Sequence, residues 1–488
     1  MNPSRLPPRQ RLLRSRVHAG LLLGAALLPA LAAADADQPS PGGNDLIGIY
    51  LKALDANPQY QAAAAAFREA SEAKPQALAK LLPQIGAGAT AGEVEQSVSG
   101  QFFKDVLGNS TTGTGTSIGS GNGINVNHSD QFYTVGYQVG LTQVLFDWSL
   151  FKNYDQSELQ VGQAGVKVLE ALDALRLQTA QAYFDVLQAQ DGVRFAGAEK
   201  DAVGQLLQQA KGKYSSGMVT DVEVKQAEAE YDLTDAELID AQNTLQVDLS
   251  QLEQLTGGQT YTKVRPLDED YRPLAPEPNK LDVWLDRAQS QNLSLQDKHY
   301  ATQIAQKEIE KQQAARLPTL GLNARRAYEY ADGGITNGIG AGDNHGIDEG
   351  VYATLKLPIF TGGAVTSAIR AAKAGYDRAQ FDEAASRGEA RHGTQVAFLN
   401  ANAGLSHVSA LKLAVDSARA AEDAANVGYK VGTKTYSDVL LAVRTRYKAE
   451  RDYAGARYGY IVNFLNLKHQ AGTLNHADML IINRWLQP

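Results

Sequence analysis

The chain carries one structural unit twice. "NPQYQAAAAAF" (57–67) and "NLSLQDKHYAT" (292–302) open two parallel segments 235 residues apart, and the same offset relates "LLPQIG" (81–86) to "RLPTLG" (316–321). Leu141 and Phe146 then match Leu355 and Phe360 at an offset of 214. From Tyr214/Tyr429 through Gly217/Gly432, Val224/Val439 and Leu252/Leu467 to Gly257/Gly472 the offset holds at 215. The drop reflects a longer Gly/Ser/Thr-rich loop in the first copy, roughly 98–129, whose shorter counterpart is 331–346. Any fold must therefore accommodate two like halves, 45–257 and 284–472. The Pro-rich stretch 258–283 links them, and 473–488 follows the second.

Within each half the hydrophobic period switches. Tyr133, Val135, Tyr137, Val139 and Leu141 alternate with Thr134, Gly136, Gln138, Gly140 and Thr142. Val351, Ala353, Leu355, Leu357 and Ile359 alternate likewise with Tyr352, Thr354, Lys356 and Pro358. Period-two patterning over about 10 residues fits a tilted membrane β-strand. Weaker alternation over "QIGAGATAG" and "TLGLNAR" completes a set of four, with strands expected near 84–97, 131–146, 318–330 and 350–360. The remainder reads as long helices. Residues 148–213 contain no proline, and a helix of that length would extend about 100 Å. Segments 218–256 and 433–471 give helices of roughly 60 Å by the same rise. Patterns this long point to coiled-coil-like hairpins rather than a compact core.

Residues 1–34 combine five arginines, the apolar run "GLLLGAALLPALA" and a small-residue end, the pattern of a secretory signal peptide. Its removal takes the formal charge from −8 to about −13, a poor balance for nucleic-acid binding. The absence of cysteine excludes disulfides, thiol catalysis and thiolate metal sites.

Four membrane strands cannot close a barrel, and an open edge in lipid leaves backbone groups unsatisfied at several kcal/mol each. Chains must therefore pool strands. Two would supply eight and three would supply twelve; a wide aqueous duct favours the larger number, but spacing alone does not choose.

The duplicated plan, the "LLPQIG"/"RLPTLG" pair, "LPIFTGG" (357–363) and "YKVGTKTYSDVLLA" (429–442) together resemble the outer-membrane efflux proteins, over about residues 45–483. The resemblance implies an α+β membrane protein of the Gram-negative outer membrane. It would be a homotrimer whose twelve-stranded β-barrel, four strands per protomer, continues into a periplasmic α-barrel. Segments 258–283 and 473–488 would form an equatorial belt. It further implies a periplasmic adaptor, an inner-membrane efflux pump or ABC secretion transporter as partners, and export of drugs or proteins with no cofactor and no covalent chemistry.

Such a duct is expected to close at the helix tips, where Gly217 and Gly432 supply the left-handed turn that ends a helix. By the resemblance, Tyr429 and Lys434 bond Glu223 of a neighbouring first-copy turn. Lys434 stands where the family's type member has arginine and Glu223 where it has aspartate. Lysine lacks arginine's bidentate fork, so a lock of different geometry is expected. Asp438 would contribute to an electronegative ring at the pore entrance, with Leu441 where the type member has a second aspartate. Gly217, Met218, Val219, Gly432 and Thr433 would form the tips that meet the adaptor. A plainer reading competes: Thr220-x-x-Glu223 and Thr435-x-x-Asp438 both have capping-box spacing, with Asp reaching back less well than Glu. The eight histidines show no metal-ligand spacing, and "GSGNG" (119–123) lacks the dinucleotide pattern. The rival to a duct is a non-channel periplasmic adaptor or structural coiled-coil rod, which would carry long helices without the four alternating segments.

Overall fold

The computed structural model describes residues 43–102, 124–332 and 344–487. The expected signal peptide and most of both Gly-rich loops lie outside the described residues. The first half runs α1 (Leu46–Ala56), α2 (Pro58–Ser71), α3 (Ala73–Ala79), β1 (Gln84–Phe102), β2 (Ile124–Phe146), α4 (Trp148–Ser215) and α5 (Asp221–Leu255). The second half runs α6 (Leu281–Gln291), α7 (Leu293–Ala314), β3 (Thr319–Asp332), β4 (Asn344–Lys356), α8 (Ala364–Lys430) and α9 (Tyr436–Gln470), followed by α10 (His476–Asn483). Among the described residues, no helix is long and apolar enough to cross a membrane.

The four strands form one antiparallel sheet in the order β1-β2-β3-β4. β1 and β2 stay paired out to Phe102↔Ile124, beyond the alternating stretch, because "SVSGQ" and "NVNHS" offer an unbroken register with no proline to interrupt it. β4 stops at Lys356, short of the expected 360, ahead of Pro358, which cannot donate to a ladder. Register places Ile85, Leu141, Ala324 and Val351 in one cross-strand row. Ala89, Tyr137, Tyr328 and Ile347 make a second row on the same face, with Tyr137 and Tyr328 stacked at 5.2 Å. The row between them ends in Arg326 and Glu349, paired at 3.7 Å. The opposite face carries Gln84, Thr142, Asn323, Gln138, Arg325 and Asp348 among glycines. The apolar face is bare in the single chain, with Tyr137 58 % and Val351 72 % exposed.

Each sheet half leads into a long hairpin. Asp147 caps α4 by accepting from the backbone N–H of Ser149 and Leu150, and 68 residues follow without a break. α8 spans 67 residues. Its buried positions Ala390, Ala397, Ala401, Val408, Val415, Ala418 and Ala425 recur at three, four and seven, the seam of a coiled coil built from small side chains. α4 packs on α5 and α8 on α9, while α4 and α9 join the two hairpins.

The main core lies where the hairpins meet the linker. Leu46, Ile49, Tyr183, Phe184, Leu252, Ile461, Leu465 and Met479 pack there with Val264 and Leu267. The linker and the C-terminal segment run side by side: Asp268 N–H donates to the Trp485 carbonyl at 2.8 Å and Gln487 N–H to the Pro266 carbonyl at 2.9 Å. Asn57 caps α2 and Asn292 caps α7, each at the kink following a short helix. Against those kinks sit the glycines that end the hairpins. A Cβ on Gly257 would lie 2.7 Å from the Ala56 Cβ, and one on Gly472 would lie 2.1 Å from the Gln291 carbonyl oxygen.

Candidate gate at the helix tips

The two tip turns share one geometry. Gly217 (φ 74°) follows α4 and Gly432 (φ 81°) follows α8. Met218 N–H donates to the Lys213 carbonyl at 2.9 Å and Thr433 N–H to the Gly428 carbonyl at 2.8 Å, the outer bond of a Schellman cap in each case. Met218 is 68 % exposed, Val219 is half-buried, and Gly432 and Thr433 are exposed. The turns therefore present backbone and the apolar side chains of Met218 and Val431 at the end of the molecule.

Behind them an apolar cluster binds the hairpins together: Val203 and Leu207 of α4, Val224 and Ala227 of α5, and Tyr436, Val439, Val443 and Tyr447 of α9. Tyr429 packs half-buried against this cluster, edge-on to Tyr436 with ring centroids 5.8 Å apart. The Lys213 ammonium sits 4.0 Å from the Tyr429 ring centre, so a cation of the first hairpin already holds the second hairpin's tyrosine. Glu223 points into the same seam. Its Oε2 and the hydroxyl of the fully buried Tyr436 both lack a hydrogen-bond partner among the described residues. Burial, then Tyr429 and Glu223, push the Tyr436 phenol well above its ordinary value. Tyr436 and Lys213 are absent from the sequence-derived gate. Neither belongs to a spacing pattern, and only the approach of the two hairpins reveals them.

The expected lock residues are brought to one end but not bonded to one another within the chain. Glu223 has no hydrogen bond to Tyr429 or Lys434, and Lys434 has no ion pair among the described residues. The capping expectation is corrected in one half. Thr220 makes no side-chain cap on α5, and Glu223 makes no hydrogen bond back to Thr220 but lies close enough to Tyr436 to act on its phenol. The shorter acid succeeds instead: Thr435 N–H donates to Asp438 Oδ2 at 2.8 Å while Asp438 N–H donates to Thr435 Oγ1 at 3.2 Å. The Thr435 bonds, with Lys434 nearby, hold the Asp438 carboxyl below its usual range, so it stays ionised at neutral pH. Leu441, one turn on, is 65 % exposed. Across the seam Ser437 Oγ donates to Gln226 Oε1 at 2.9 Å, and farther along Arg444 spans to Glu230 and Glu237 at 3.4 and 3.5 Å.

A sheet with one apolar and one polar face, set on hairpins about 100 Å long, is a plan shared with known proteins. The family described as "Outer membrane efflux protein" matches residues 49–258 and 284–473. Outer membrane protein TolC of Escherichia coli (strain K12) is 32 % identical over 448 residues, covering 91 % of this chain and 85 % of that protein. The alkaline protease secretion protein AprF of Pseudomonas aeruginosa is 24 % identical, covering 90 % and 86 %. Among solved structures, the outer membrane protein VceC of Vibrio cholerae superposes with a TM-score of 0.65 at 19 % identity, covering 88 % of this chain and 96 % of that one. With both halves matched and the fold shared from strands to tips, the chain belongs to the outer membrane efflux protein family.

Proposed function

We propose that three copies of this chain form an outer-membrane exit duct for efflux or type I secretion, shut at the helix tips and opened by periplasmic adaptor and inner-membrane pump partners. The observation that carries the reading is the sheet. Its apolar face is that of a lipid-exposed surface and its glycine-rich polar face that of a water-filled lumen. β1 and β4 are open edges, which hydrocarbon does not tolerate. Three copies joined edge to edge give twelve strands, and their α4/α5 and α8/α9 hairpins prolong the lumen toward the periplasm. Phe146, Trp148 and Phe151 cluster at the base of the sheet, with centroids 6.5 and 6.1 Å apart, where an aromatic girdle belongs. Cargo moves through without covalent chemistry.

In this assembly Tyr429 and Lys434 of one tip complete their bonds on Glu223, whose buried Oε2 awaits a donor. Asp438 supplies three ionised carboxylates around the axis, which favour cations. The test is extraction from outer membranes followed by planar-bilayer recording. Ion-conducting steps with cation preference are expected, and Asp438→Asn, which keeps an acceptor for Thr435, is expected to weaken that preference. A protein that partitions with the outer membrane but never conducts would instead be an envelope rod or adaptor.

A further inference from the structure

Midway between the tips and the main core, a charged cluster crosses the seam between the two hairpins. The first hairpin contributes Glu199 from α4 and Glu230 and Glu237 from α5; the second contributes Arg444, Arg451 and Tyr447 from α9. The charges do not balance. Arg444 reaches Glu230 at 3.4 Å and Glu237 at 3.5 Å, two acids that remain partly in water. Glu199 is 3 % exposed, and its Oε1 has no hydrogen-bond partner among the described residues. Its neighbour Lys200 is engaged elsewhere, 2.6 Å from Asp235. On the far side of Tyr447, Arg446 is taken by Glu422 and Glu450. Glu199 is thus a buried carboxyl that makes no close ion pair among the described residues, offset only at a distance by Arg451 and the already engaged Arg444, and wedged where the hairpins touch.

Resting on the duct reading above, we infer that Glu199 is a proton-operated latch between the hairpins: neutral, it lets α9 seat against α4 and α5; ionised, it drives them apart and eases opening of the tips. An unpaired buried charge is costly, so ionisation and tight packing oppose each other. Burial first, then the repulsion of Glu237, raise the Glu199 carboxyl from 4.5 to about 7, with Arg451 and Arg444 acting against them. When the hairpins separate and water reaches the group, it returns to the ordinary carboxylate range. The direction follows. A group whose value is raised in the packed arrangement favours packing while protonated and loses that contribution as pH rises through its raised value. The seam is therefore tightest below about pH 4.5, loosens as pH rises from there to about 7, and changes little above neutrality. Between pH 5.5 and 8 the open-to-closed ratio rises on the order of tenfold per protomer.

The experiment is planar-bilayer recording of the purified assembly at symmetric pH from 5.5 to 8. Wild type is expected to open more as pH rises from 5.5, levelling off just above neutrality. Glu199→Gln, which mimics the protonated acid, should stay at the acidic level throughout. Glu237→Gln, which removes a repelling neighbour, should bring the levelling-off to lower pH. A Glu199→Gln profile that still tracks wild type overturns the latch. The absence of native cysteine allows a second readout independent of conductance: spin labels at Leu233→Cys on α5 and Lys448→Cys on α9. Their separation should widen between pH 5.5 and 8, and only when Glu199 is present. A pH-invariant separation overturns the latch even if the protein conducts. A pH-dependent one in a protein that never conducts supports the latch while removing the duct.

Discussion

Gly472→Ala is expected to abolish the proposed trimer and to leave little protein in the outer membrane. Gly472 ends α9 at φ 69°, a conformation that costs an alanine about 1–2 kcal/mol. The larger penalty is steric, because the new Cβ would lie 2.1 Å from the Gln291 carbonyl oxygen and 2.7 Å from the Asn292 nitrogen. Both are backbone atoms at the kink between α6 and α7, and Asn292 there also donates its side-chain amide to the Gln470 carbonyl at 2.9 Å. Relief requires moving α7, and with it β3. Gly217→Ala supplies the control. Its φ is equally positive, but nothing lies within 4 Å of the added Cβ, so only the backbone strain remains. Thermal dissociation of the two variants should separate sharply, with Gly217→Ala close to wild type.

The second large effect concerns the tips. Tyr429→Phe combined with Lys434→Ser is expected to raise single-channel conductance severalfold. A hydrogen bond to a charged group contributes about 1.5–3 kcal/mol, and threefold symmetry multiplies the loss. Each 1.4 kcal/mol shifts the closed-to-open ratio about tenfold. The phenylalanine keeps the ring under Lys213 and against Tyr436, so the variant removes the hydroxyl without dismantling the apolar seam. Conductance at the wild-type level would assign closure to that seam alone, with Tyr436 rather than Tyr429 facing Glu223.

Much of the fold could be read directly from residue patterns because the patterns are local. Alternation at 133–141 is the apolar row of β2, and the proline-free run after Trp148 is α4. Gly217 and Gly432 occupy the left-handed positions that their place after long helical runs demanded. Local reasoning failed where two hairpins compete for one side chain. Glu223 has the better reach for a capping box than Asp438, yet it lies in the seam with α9 while Asp438 caps. The Glu199 cluster was invisible for the same cause: its members come from α4, α5 and α9, and no spacing along the chain relates them. The length of β1 and β2 was underestimated because partner pairing extends strands beyond the residues whose pattern announces them.

In the proposed assembly this four-stranded sheet closes only by joining copies, three at a time, through the open edges of β1 and β4. The chain's lack of cysteine makes this directly measurable. One cysteine at Ala87 or Ala89 on β1 is combined with one at Val351 or Ala353 on β4, residues of the same apolar face, and the detergent-extracted protein is oxidised. The expected product is a covalent ladder of one, two and three chains that stops at three, from a particle whose mass is that of a trimer. A particle with the mass of a single chain, or a ladder running past three, would contradict it.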